Sequence, residues 1–469
     1  MYALIIISCL AILVLYLGLG KVCRPAILPV SILGMLGALG AIGWSWNQNP
    51  KSYYNDMLSD SHFSLAFSAL MIACALLIML FSKDYFKQFS QHEAEYYALM
   101  LFSVCGGIIM ASFSNLTMLF LGLEIVSVCV YILAGINRRD PLSNEASLKY
   151  FLMGAFFTAF LLLGIAFVYG ATATFNIEKI GMAIQSGNYQ PYFLHTGIIL
   201  ILIALAFKVS AAPFHFWTPD VYEGSPSLVT AFMSTVVKIA GFAAILTLFE
   251  HAFGSLNGFW ASSIWVIAAL TLCVGNIAAL VQKSVKRMLA YSGISHAGYL
   301  MIAILVAGSL RRYDYSLSDN GILIYSIAYS LATITAFAGL IIVHERTGSN
   351  SIEAFQGLGK KNPLLAFAIT ISMCSLAGIP LTAGFFGKYY IFSDAINRAQ
   401  YWIVIVGIIN AVIGIYYYFK VIIAMYFVAS SDEQQKITVN FSVNILLLAC
   451  TMLTIVLGIY PSFFANFLN

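Results

Sequence analysis

The sequence predicts an all-α polytopic membrane protein of about fourteen transmembrane helices, and three observations predict it. Of 469 residues, 61% are hydrophobic and 9% charged, whereas roughly a quarter of a soluble domain is charged. That excess of apolar residues is more than a water-soluble core of this size can hide. The apolar residues run continuously over membrane-crossing lengths, without the alternation of a β-barrel. Two of these runs also carry a proline beside small residues, which marks interrupted helices. The net charge of +4 is small and dispersed, so the composition gives no sign of a nucleic-acid partner.

The first apolar run, residues 2–20, has no basic segment before it, and Lys21 and Arg24 follow it. It reads as a retained span with its N-terminus outside, not as a cleaved signal. Further spans are expected at 26–46, 62–82, 95–113, 115–135, 148–171, 194–217 and 226–250. The remainder fall at 258–281, 287–308, 321–344, 363–394, 401–428 and 441–464. Each is long enough to cross a hydrocarbon layer of about 30 Å.

The loops set the orientation. Thirteen basic residues fall on the inner side: Lys21, Arg24, Lys83, Lys87, Arg138, Arg139, Lys283, Lys286, Arg287, Arg346, Lys360, Lys361 and Lys436. Five fall outside: Lys51, Lys179, Arg311, Arg312 and Arg398. This bias places both termini outside. The eight cysteines, at 9, 23, 74, 105, 129, 273, 374 and 450, form no C-x-x-C pair and mostly lie inside apolar runs. They read as small buried hydrophobes rather than cluster ligands, leaving no redox centre visible on this chain. No phosphate-binding G-x-x-x-x-G-K-[ST] loop and no H-E-x-x-H occurs.

Function is therefore sought in the five basic residues left inside spans: Lys149, Lys208, Lys238, Lys388 and Lys420. An ionisable group at the bilayer centre costs about 2.5–3.5 kcal/mol or more. Lys149 and Lys420 are close enough to an inner boundary for snorkelling to account for them. Lys238 lies mid-span, as does Glu124, the one acid placed deep in a span. Lys208 precedes Pro213 in AFKVSAAPFHFWTPD, and Lys388 follows Pro380 in SLAGIPLTAGFFGKYY. At about 1.5 Å per residue, the 32-residue run 363–394 is roughly 48 Å long. That is too long for one straight crossing.

The interruptions fall in the seventh and twelfth spans, an offset of five. Spans 4–8 and 9–13 then form two five-helix units, inverted because five is odd. The expected divisions are 1–94, a three-helix segment; 95–257 and 258–428, the two repeats; and 429–469, a last helix. Glu124 of the fifth span corresponds to the region of the tenth that holds His296. Buried lysines and carboxylates hold one another charged when close and tend to neutrality when apart, so such a pair takes up and releases protons. Glu124, Lys208, Lys238 and Lys388, with His215 and His296 as intermediates, form a candidate proton file at mid-membrane depth. Arginine stays protonated and would not serve.

The stretch AFKVSAAPFHFWTPDVYEGSPSLVTAFMSTVVKIAGF, residues 206–242, resembles the antiporter-like membrane subunits of proton-pumping NADH–quinone oxidoreductase, respiratory complex I. It also resembles subunits of multi-chain sodium/proton antiporters. FLGLEIVSVCVYIL around Glu124, EASLKYFLMGA around Lys149, KRMLAYSGISHAGYL around His296 and LAGIPLTAGFFGKYYIF around Lys388 extend the likeness over most of 115–394. VYEG after WTPD, together with a lysine at 388, points to the subunit N branch; SPSL at 225–228, where a second proline is expected, departs from it.

The resemblance implies proton translocation through an axis of buried charges. Glu124 would pair with Lys208, Lys238 would be the central relay, and Lys388 would lead onward. Lys149 would modulate the Glu124–Lys208 pair. It also implies that NADH, FMN, iron–sulfur clusters and quinone bind partner subunits. The partners would be antiporter-like sisters and the small subunits at the connection to the quinone module, in a bacterial cytoplasmic membrane. The competing readings are a cation/proton antiporter subunit and a non-conducting membrane scaffold.

Overall fold

The computed structural model describes residues 1–20, 24–85, 92–307, 317–429 and 439–460. The expectations for Lys21, Cys23, Lys87, Arg311, Arg312, Lys436 and the last span beyond residue 460 lie outside the described residues, as does the side chain of Lys83.

The N-terminal segment holds α1 (Tyr2–Leu19), α2 (Ile27–Trp46) and α3 (His62–Tyr85). Then come α4 (Glu93–Ser112), α5 (Leu116–Ala134), α6 (Pro141–Thr172), a short α7 (Ile177–Gln185), α8 (Pro191–Lys208) and α9 (Thr218–Gly224). Residues Ser227–Ala252 cross next, as α10 (Ser227–Phe232), a π-helical turn at Met233–Val237, α11 (Lys238–Thr247) and a second π turn at Leu248–Ala252. The chain continues as α12 (Asn257–Leu280), α13 (Val285–Ala307), α14 (Leu317–Thr347) and α15 (Leu358–Lys361). It ends as α16 (Pro363–Ala377), α17 (Ala383–Asn397), α18 (Tyr401–Phe427) and α19 (Phe441–Ile459).

Thirteen helical segments among the described residues are long and apolar enough to cross a membrane, and the broken α16–α17 pair supplies the fourteenth expected crossing. The protein is a helical multi-pass membrane protein. A three-residue hairpin, Lys51–Tyr53 with Leu58–Asp60, is the one sheet among the described residues.

Packing follows the same scheme in both halves. α4 lies on α5, α6 on α8, and α11 returns to α4. Five crossings later α12 lies on α13, α14 on the α16–α17 pair, and α18 returns to α12. In the apolar 18-residue stretch of each crossing, 94% of the residues are buried in Ser227–Ala252 and in α13, against 28% in α1 and α2. The helices that carry Lys238 and His296 are thus enclosed by other helices and have almost no outer face.

Local chemistry corrects several expected boundaries. The sixth span begins at Pro141, not 148, because Asp140 caps it, accepting from Leu142 N at 3.0 Å, and Pro141 needs no backbone donor there. The seventh does not run to 217. It stops at Lys208, since Pro213 offers no N–H to Val209 O and its ring excludes a helical carbonyl there. The twelfth breaks where expected: Gly378 ends α16 with φ +83°, its N–H reaching Cys374 O and Ser375 O at 3.0 Å each. α7 went unforeseen because its apolar face, Ile177, Ile180 and Ile184, is far shorter than a span. Cys9 is exposed, contrary to its reading as a buried hydrophobe, because it lies on the outward face of α1.

Candidate functional site: three buried lysines

Lys208 is the last residue of α8, 3% exposed. Beyond it the backbone turns through Ser210 at φ +64° and a cis Ala212–Pro213 peptide. The polar groups freed by the break are satisfied locally. Trp217 Nε1 donates to Phe207 O at 3.2 Å, and Ala212 N donates to Thr271 Oγ1 at 2.9 Å. Lys208 Nζ donates to Ser127 Oγ at 2.8 Å, and the rings of Tyr131 and Tyr150 lie 5.9 and 5.8 Å from it.

Glu124, one turn before Ser127 on α5, accepts instead from Thr158 Oγ1 at 2.7 Å. It is half-buried and lines a cavity of about 570 Å³ between α1, α4 and α5, with Ser8, Phe102, Cys105 and Cys129. The expected Glu124–Lys208 pair is therefore not a direct ion pair. The carboxylate is held by Thr158 and the amine by Ser127.

Lys238 begins α11 directly after the first π turn, 3% exposed, and donates to the backbone oxygen of Gly293 on α13. The extra residue in a π turn rotates all that follows, and such turns recur at functional sites. Sequence reading missed this turn, since MSTVVK contains neither proline nor glycine. Gly241, one turn on, faces Val209, so α11 abuts the break after Lys208.

His296 lies one turn beyond Gly293. Its Nδ1 is 2.6 Å from Tyr325 OH and its Nε2 3.2 Å from Tyr418 OH, which in turn meets Ser292 Oγ at 2.5 Å. The ring sits 4.8 Å from that of Tyr329 and 6.0 Å from that of Tyr299. Tyr299 leads to Lys388, whose Nζ is 4.9 Å from its ring centre. Lys388, 6% exposed, bends back from α17 to donate to Leu376 O and Ala377 O at 3.0 and 2.8 Å. It thus puts a cation at the negative end of α16. Gly384 allows that approach: its N–H meets Ser375 Oγ, and a Cβ there would strike the Ser375 carbonyl.

Two expected members stand apart. Lys149 is bound to Glu145 at 2.7 Å and Asp220 at 2.9 Å, 36% exposed, with no contact to Glu124 or Lys208. α6 begins earlier than the apolar run suggested, so Lys149 sits in an ionic cluster with α9 and α13, where Arg287 reaches Asp220 at 3.1 Å and Glu223 at 2.5 Å. His215 is half-buried in the loop after α8; its Nδ1 has no hydrogen-bond partner, and no hydrogen bond or ring contact joins it to the lysines. Lys286, read from sequence as an inner-loop charge, is buried and donates to Glu223 O and Ser225 O at 2.9 and 2.5 Å, closing the end of α9. The stop of α9 before Pro226 is the signal that could have found it, because a helix end needs its last carbonyls met.

Burial tends to raise the Asp220 carboxyl, but Lys149 and Arg287 outweigh it and hold the group below the usual carboxylate range. A depressed folded value contributes stability above the unfolded value, near 3.9, and loses it as pH falls through the folded value. Asp220→Asn is expected to lower the thermal stability of the detergent-solubilised complex by about 0.5–1 kcal/mol. The deficit should hold constant between about pH 5 and 8 and shrink in high salt. A deficit confined to alkaline pH would contradict this account of the clasp.

A bundle with two broken crossings and lysines buried beside each break defines the class of antiporter-like transmembrane subunits. The family model described as NADH:quinone oxidoreductase/Mrp antiporter, TM, matches residues 113–414. The NADH-quinone oxidoreductase subunit N of Cytophaga hutchinsonii is 40% identical over 467 residues, 98% of each chain. A chain of respiratory complex I from Thermus thermophilus is 30% identical and superposes with a TM-score of 0.81, covering 98% of this chain and 97% of that one. A chain of the Mrp complex from Dietzia sp., 18% identical over 98% of this chain and 93% of its own, shares the fold with a TM-score of 0.81. The chain belongs to the subunit N family of NADH-quinone oxidoreductase.

Proposed function

We propose that this chain translocates protons along Glu124, Lys208, Lys238, His296 and Lys388, driven by NADH oxidation and quinone reduction in other subunits. One observation carries the reading. Three lysines, each 6% exposed or less, are held by neutral oxygens, and none forms an ion pair among the described residues. A structural lysine this deep is matched by a carboxylate or, as Lys286 is, by the open carbonyls of a helix end, because an unpaired buried charge costs several kcal/mol. An amine that takes up and gives away its proton is under no such demand.

In this reading NADH, FMN, iron–sulfur clusters and quinone are bound by partner subunits. Antiporter-like sisters and the small subunits leading to the quinone module adjoin this chain in a bacterial cytoplasmic membrane, with both termini outside. We take 95–257 and 258–428 as the two inverted repeats. Joint replacement of Glu124, Lys208 and Lys238 by alanine tests it against a scaffold role. The complex should assemble and reach the membrane, while pumping by proteoliposomes and coupled quinone reduction fall at least about tenfold. Normal pumping from the triple variant would make the charges mere helix glue.

A further inference from the structure

His296 meets a tyrosine hydroxyl at each ring nitrogen, and the direction of those two hydrogen bonds is set at a distance, where α12 meets α18. There Asn276 and Asn410 face one another, both buried. Asn276 Nδ2 donates to Leu272 O at 2.9 Å and to Asn410 Oδ1 at 3.3 Å, and Asn410 Nδ2 donates to Val406 O at 2.9 Å. Each amide nitrogen thus lies on a backbone carbonyl one turn back, and turning either amide over would set oxygen against oxygen. Asn276 Oδ1 is therefore fixed as an acceptor, and Tyr417 OH donates to it at 3.0 Å.

From this anchor the donors follow in order. Tyr417 and Tyr418 share a hydrogen bond, with ring centres 4.4 Å apart. A phenol has one proton to give. That of Tyr417 goes to Asn276, so Tyr418 donates to Tyr417. The Tyr418 oxygen is then left to accept from Ser292 Oγ at 2.5 Å and from His296 Nε2 at 3.2 Å. A neutral imidazole carries its proton on one nitrogen. With that proton on Nε2, Nδ1 is bare and accepts from Tyr325 OH at 2.6 Å. Tyr325 in turn lies against Gly387, the residue before Lys388.

We infer that Asn276 is a positioning residue for proton transfer, acting through Tyr417 and Tyr418 to keep the His296 proton on Nε2 and its free nitrogen toward Tyr325. The inference rests on the proton-translocation reading. A proton reaching His296 enters at Nδ1 and leaves from Nδ1, while the Nε2 proton stays in place. The other branch ends in an amide, which holds hydrogen bonds and carries no proton onward. α18 therefore offers no side exit from the file.

The test uses variants of the assembled complex. Asn276→Leu, similar in shape, removes the acceptor, and Tyr417→Phe removes the hydroxyl that meets it. Both should assemble and lose about three- to tenfold in pumping. Asn276→Asp, which in its acid form keeps an oxygen for Tyr417 and a donor for Leu272 O, should stay within about twofold of wild type. The ring bands of neutral histidine in infrared difference spectra, assigned against His296→Gln, should move from the Nε2–H toward the Nδ1–H form in Asn276→Leu and stay in place in Asn276→Asp. Tyr418→Phe cuts the chain at His296, so adding Asn276→Leu to it should cost nothing further. Losses that multiply in that double variant, or wild-type pumping in both Asn276→Leu and Tyr417→Phe alongside a dead Lys238→Ala control, would overturn the anchor and leave the lysine axis standing. An active Lys238→Ala control would overturn the axis itself.

Discussion

Lys238→Arg should be nearly as inactive as Lys238→Ala, with pumping through this subunit reduced about a hundredfold in both. The expectation comes from where Lys238 sits. It opens α11 after a π turn, faces the Gly293 oxygen, and lies at the middle of one of the two most enclosed crossings among the described residues. On the proposed function, an alanine removes the proton carrier. An arginine keeps a cation but does not release its proton at any physiological pH, so it blocks the file instead of serving it. Lys238→Met, similar in length and without charge, separates this from loss of packing. It should assemble like the native chain and pump like the alanine variant. Proton uptake in reconstituted vesicles, normalised to the amount of assembled complex, is the measurement; wild-type turnover in the arginine variant would contradict the mechanism.

Lys388 gives the second large effect, and here two roles must be separated. Its amine caps the last carbonyls of α16 at 2.8 and 3.0 Å and also stands over the Tyr299 ring. Lys388→Ala loses both roles, with an expected fall in pumping of tenfold or more and some loss of assembled complex, since the end of α16 is left unmet. Lys388→Gln retains N–H donors for those carbonyls and has no proton to give. It should restore assembly without restoring pumping. Recovery of pumping in the glutamine variant would reduce Lys388 to a helix cap.

Much of this could be read from the residues alone, and the reasons are physical. The run of crossings was legible because lipid demands continuous apolar helices, and the two breaks because proline and glycine announce themselves. Lys208, Lys238 and Lys388 stood out since a charge in mid-membrane is costly wherever it points. The partners of those charges were not legible. Glu124 took Thr158 and Lys208 took Ser127, a choice made by side-chain reach between three helices that no single-chain pattern encodes. Lys149 was drawn to Asp220 because α6 starts two turns earlier than its hydrophobicity suggested. The π turn before Lys238 and the hydroxyls of Tyr417 and Tyr418 left no mark in composition. Apart from the lysines, the interior contacts of the file are made by residues any buried helix might carry.

α13 bears on every part of this arrangement. In its first turn Lys286 grips the last carbonyls of α9, and further along Gly293 receives Lys238 and His296 meets Tyr325 and Tyr418. A helix is stiff along its axis, and consecutive residues are turned by about 100°. Slipping or turning α13 by even one position would release all of these attachments together, since none can follow alone. The two halves of the protein thus share one spindle, and a mechanical input at the α9 end would reach Lys238 and His296 as a single discrete step.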